Sequence, residues 1–71
     1  MDQADINRLQ VYLRNLFDNE NIRLVLRGKP ADSAEVLLSD EFIGVIYKDD
    51  EDGDISFDFN MSILGMDLKY E

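Results

Sequence analysis

The chain predicts an α+β fold, with an N-terminal amphipathic helix packed on one face of a four-stranded antiparallel meander sheet. Three observations carry that expectation. Near the C-terminus Ile55, Phe57, Phe59, Met61 and Ile63 alternate with Ser56, Asp58, Asn60 and Ser62, the period of a strand with one dry and one wet face. Near the N-terminus Ile6, Leu9, Leu13, Leu16 and Phe17 recur at spacings of three and four, the period of a helix stripe. Between them, apolar segments are separated by clusters of Gly, Pro, Asp and Glu, which read as turns.

Taken in order, the helix is expected over about residues 3–18. Asp2 supplies its cap and Asp5 lies in the first turn, where a carboxylate favours the positive end of the helix dipole. Tyr12 flanks the stripe, and Arg8, Gln10 and Arg14 are expected toward solvent. Asp18 to Asn21 end the helix. A strand follows over about 22–27, with Ile22, Leu24 and Leu26 inward and Arg23, Val25 and Arg27 outward, until Gly28, Lys29 and Pro30 break it. Further strands are expected over about 34–39, 42–48 and 54–63, and a tail over 64–71. The whole chain, residues 1–71, is expected to form a single domain.

Register follows from the turns. A two-residue reversal at Asp40 and Glu41 pairs Leu38 with Ile43 and Val36 with Val45. A five-residue loop from Asp49 to Gly53 pairs Val45 with Phe57 and sets Lys48 opposite Asp54. Both turns then send Val36, Leu38, Ile43, Val45, Tyr47, Ile55, Phe57, Phe59 and Met61 to the helix side. Left over on the opposite face are Val25, Leu37, Phe42 and Ile46, beside Gly44. One helix does not cover both sides of a sheet. These four residues are therefore the candidate partner interface, covered either by a second protein surface or by the tail, where Leu64, Met66, Leu68 and Tyr70 also alternate after a bulge near Gly65.

Charge narrows the partners. The net charge is −9 and unevenly spread: residues 1–31 carry five basic against four acidic residues, residues 32–71 two against twelve. A field of that sign repels phosphate backbones and anionic membranes, so neither nucleic acid nor membrane is expected as a partner. The apolar stretches are too short to cross a bilayer, and no basic segment leading into an apolar run opens the sequence. With no cysteine in use, the expected location is a reducing cytoplasm.

Chemistry is thinly supplied. With no His, Cys or Thr, neither a Ser-His nor a Cys-His arrangement assembles, so no catalytic residue, cofactor site or enzymatic activity is expected. The run from Asp49 to Ile55 resembles part of a calcium loop. With Gly53 at the loop's sixth position, however, Lys48 falls where the first carboxylate must bind and Phe59 where the closing Glu belongs. A solvated Asp-Gly hairpin loop accounts for the run, leaving Asp50, Asp52 and Asp54 as weak divalent-cation candidates. Gly28-Lys29-Pro30 lacks the spaced glycines of a phosphate loop and reads as a turn. Arg23 and Arg27 are expected to neighbour Glu35.

Asp40-Glu41-Phe42-Ile43-Gly44-Val45, then Glu51-Asp52-Gly53-Asp54-Ile55-Ser56, then Met61 with Ile63-Leu64 and Asp67-Leu68, resemble a family of short bacterial proteins of unknown function. The likeness spans almost the whole chain, including Tyr12-Leu13-Arg14. It implies a small stand-alone bacterial cytoplasmic protein and transfers no functional residue. The functional expectation is a non-enzymatic binding or assembly module that self-associates as a homodimer or docks a partner through an apolar sheet face. Two alternatives are an acidic mimic of nucleic acid, holding a basic partner through Asp49 to Asp54 and Asp58, and a weak divalent-cation module.

Overall fold

A computed structural model of the chain describes residues 1–27, 32–51 and 53–68. Its elements are α1 (Gln3–Phe17), β1 (Ile22–Arg27), β2 (Ser33–Leu38), β3 (Glu41–Asp49), β4 (Ser56–Asn60) and a short 3-10 turn at Gly65–Asp67. The strands form one antiparallel meander in the order β1-β2-β3-β4, with α1 against one face, the expected α+β arrangement. The break at Gly28, Lys29 and Pro30 lies outside the described residues.

The helix begins in a reciprocal cap. The Asp5 amide donates to Asp2 Oδ1 at 2.9 Å and the Asp2 amide to Asp5 Oδ2 at 3.2 Å, which satisfies donors that the first turn leaves free. It ends at Asp18, whose left-handed backbone (φ 50°) turns the chain so that the Asn19 amide bonds back to the Arg14 carbonyl.

Gln10 and Arg14 do not point to solvent as expected. Gln10 Oε1 accepts from the Leu24 amide at 3.0 Å, and Arg14 Nε donates to the Ile22 carbonyl at 2.8 Å. Spaced by one helical turn, the two side chains bond backbone groups of β1, the edge strand on that side of the sheet. The core forms beneath them from Ile6, Leu13, Ile22, Leu24, Ala34, Val36 and Ile46, with Leu9, Ile43, Phe57 and Phe59 at its margin.

Strand register departs from expectation at three places, and the departures partly compensate. The first turn is Ser39-Asp40, both with positive φ, as a tight hairpin of this length demands, so Leu38 pairs with Glu41. This shifts the pairing by two residues and leaves Leu37 and Phe42 together on the far face, as expected. A bulge then inserts Ile43 between the Leu37–Phe42 and Val36–Gly44 pairs. That single extra residue reverses the rest of β3. Ile46 and Lys48 turn to the helix side, while Val45 and Tyr47 turn away. The loop into β4 is also one residue longer than expected, running over 50–55, so Ile46 pairs with Phe59 and Lys48 with Phe57. Phe57 and Phe59 are thereby restored to the helix side.

Gly44 makes the β3–β4 approach possible. A Cβ there would stand 2.5 Å from both the Asn60 carbonyl oxygen and Phe59 Cε1, because the Phe59 ring lies across the glycine. Lys48, brought to the helix side, pairs with Asp5 at 3.2 Å rather than with Asp54, and ties the start of α1 to β3. The Asp5 carboxyl is held below its ordinary value, first by the Asp2 amide and then by the Lys48 ammonium, with partial burial opposing both.

Two outcomes follow. Gly44→Ala leaves its new methyl no room against backbone, and chemical denaturation should show a loss of about 1–3 kcal/mol. A lowered folded-state carboxyl stabilises the protein above the ordinary value of 3.8, and that contribution is lost as pH falls through the lowered value. Asp5→Asn should therefore melt below the parent at pH 7, and the gap should close on acidification below 3.8; a gap independent of pH would show that charge plays no part.

Candidate functional site

The four proposed interface residues do not form one surface. Val25, Leu37 and Phe42 lie on the far face, with Phe42 about half exposed. Ile46 is a correction: it is 2 % exposed and sits in the core opposite Ala34 and Phe59, because the Ile43 bulge reversed its strand. Val45 takes a place on the far face instead, buried in a recess with Phe42, Tyr47 and Leu64. Arg23 and Glu35 interrupt that face. Arg23 pairs with Asp40 at 3.2 Å rather than with Glu35, an exposed contact that contributes little.

The tail covers little of this face. Leu64 flanks Val45, but the chain then enters the Gly65–Asp67 turn and Met66 is 85 % exposed. Tyr70 lies outside the described residues.

The larger apolar surface is on the other side of the sheet, beside the helix. Because α1 rides on the β1 edge, it leaves β3 and β4 open along its flank. A cleft of about 290 Å³ runs there, walled by Leu13 and Phe17 from α1, floored by Val36 and Ile43, and closed by Phe59 and Met61. Its lining is almost all carbon. A second recess continues it toward the start of the helix, between Leu9 and Tyr12 on one side and Ile55 and Phe57 on the other, with Asp5 and Arg8 at its rim.

Around these hollows lie large side chains that a closed core would hide. Phe17 and Met61 at the cleft and Tyr12 and Ile55 at the recess are each more than half exposed, as are Leu16 and Ile63, which border neither hollow. Leu16 and Phe17 were expected inside, as part of the helix stripe. The stripe is real, but the helix packs against β1 at the sheet margin, and nothing among the described residues covers the outer side of its last turn. Sequence reasoning thus missed the helix flank as a surface; Tyr12, flanking the stripe, was its only trace.

The acidic residues gather at the β3–β4 loop end of the sheet, away from the carbon-lined cleft and next to the second recess. Asp32, Asp49, Asp50, Glu51 and Asp58 surround a shallow hollow beside Tyr47 and Lys48. Asp50 and Asp54 fall in the loop before β4, and Asp52 lies outside the described residues. Among the described residues no cluster of three acidic side chains is disposed to hold a metal ion. Among them, too, no helix is long and apolar enough to cross a membrane.

The chain matches no curated protein and no solved structure. All of its helix after the first two residues, its sheet and the residues bordering the apolar cleft fall within residues 5–67, where it matches a family described as protein of unknown function (DUF3126), and to that family the chain belongs.

Proposed function

We propose that this protein is a non-enzymatic assembly module that docks another protein surface through the apolar flank between α1 and β4. One observation carries the reading: four large apolar side chains stand more than half exposed at two adjoining hollows between α1 and β4, Phe17 and Met61 at the carbon-lined cleft and Tyr12 and Ile55 at the second recess, in a chain of 71 residues. Scattered single apolar residues on a surface are ordinary, whereas a contiguous patch is characteristic of interaction sites. A domain this small also gains little stability from its own core, so burial supplied by a partner adds a large fraction.

The absence of His and Cys from the chain supports a binding role over catalysis. An acidic hollow at the β3–β4 loop end of the sheet gives a basic partner a place to be steered, and such attraction would fade with salt. It offers little buried area of its own. The apolar flank is therefore the anchor of the proposed contact, and a basic partner at the acidic end is a second reading.

A photo-reactive side chain at Tyr12 or Phe17, introduced in cells of the native host, should give protein adducts, to this chain or to another. The same group at Glu51 serves as the comparison. No adduct from either flank position would remove the docking role.

A further inference from the structure

The segment from Ile55 to Ile63 reads nearly the same in both directions about Phe59: Ile55-Ser56-Phe57-Asp58-Phe59-Asn60-Met61-Ser62-Ile63. Apolar matches apolar at every odd position and small polar matches polar at every even one. β4 is also the strand at the free edge of the sheet, paired only with β3 among the described residues, and its sequence, Ser56–Asn60, holds neither proline nor lysine to block further pairing. The opposite edge, β1, is capped by Gln10 and Arg14.

We infer that two copies of this chain associate through their β4 edges, antiparallel and with the two-fold axis at Phe59, to form one continuous eight-stranded sheet. This rests on the reading of the helix flank as a docking surface and names its occupant. In that register Phe57 faces Met61 of the second copy, Ile55 faces Ile63 and Phe59 faces itself. Ile55, Phe57, Phe59 and Met61 lie on the helix side, because Ile55 and Phe57 line one recess with Tyr12, and Phe59 and Met61 line the other with Leu13. Alternation persists past the last paired residue: Asn60, Ser62 and Leu64 border the far-face recess together.

Charge agrees with this register. Asp58 is the one charged residue of β4, and it meets Asn60 of the second copy rather than Asp58, so no like charges stand directly opposed. The two acidic loops fall at opposite ends of the junction. Asp54 of each copy is separated by ten residue steps of strand, about 30 Å, several Debye lengths at physiological ionic strength. Ile55, Met61 and Ile63, in the residues that flank β4, are each more than half exposed, so apolar surface is free on both sides of the proposed junction.

Because the chain has no cysteine, the register can be read chemically. Ser56 and Ser62 are both exposed and face each other across the proposed junction, with Cα atoms about 5 Å apart, within reach of a disulfide. Two copies of Ser56, by contrast, are about 20 Å apart. Ser56→Cys and Ser62→Cys chains, mixed and oxidised, should give an interchain disulfide, while either alone should not. Light scattering of the native chain should give twice the chain mass, and Asn60→Asp, which sets acid against acid twice, should raise the dissociation constant on the order of tenfold without lowering monomer stability to match. A native monomer overturns the inference. So does a dimer without the mixed disulfide, since its contact lies elsewhere. Adducts from Tyr12 or Phe17 to a different protein, with a monomeric native chain, would leave the docking role standing and remove only the self-pairing.

Discussion

The helix is held at the margin of the sheet, and most of the surface character of the molecule depends on that placement. Gln10 and Arg14 bond to backbone groups of Leu24 and Ile22, which fixes the helix over the outer strand and not over the sheet's midline. A helix is about 10 Å across, while four strands at about 4.8 Å spacing present a wider face. One helix set to one side therefore covers roughly half of it. Two polar side chains that cap a strand edge also decide that β3 and β4 keep an open apolar flank.

What lies on that flank is set by packing between neighbouring strands. Gly44 admits the Phe59 ring and the Asn60 carbonyl, so β4 draws close to β3 where a side chain would hold it away. Next to it, the Ile43 bulge sends Ile46 inward and Val45 outward. Bulge and glycine are adjacent for a physical reason: an extra residue bends the strand and raises its twist, and the absence of a Cβ lets the next strand follow the bend. The aromatic ring over the glycine restores the apolar contact that the missing side chain forfeits.

An apolar flank on so small a chain raises a problem of indiscriminate association, and the charge distribution bears on it. A net charge of −9 keeps like copies apart except where a specific contact outweighs repulsion. The acids are concentrated at the loop end of β3 and β4, away from the carbon-lined cleft. Attraction and repulsion are thus separated along the molecule, an arrangement that favours one geometry of contact over many.

Residue order alone is enough to set the element types and the faces of β1 and β4. Those depend on local periodicity: helical spacing through Ile6, Leu9 and Leu13, and strict alternation through Ile55 to Ile63. The residues also contained the family likeness that the match over 5–67 establishes. Tertiary structure decided the faces of β3 and the cover of the helix stripe. Ile43-Gly44-Val45-Ile46 is apolar on both parities, so no pattern marks where a bulge falls, and the outcome is settled by which packing suits Phe59 and Ala34. Leu16 and Phe17 likewise belong to a valid stripe, but whether a stripe is buried depends on where the helix axis lies. That was decided by hydrogen bonds from Gln10 and Arg14 to a strand distant in sequence, a contact no local spacing encodes.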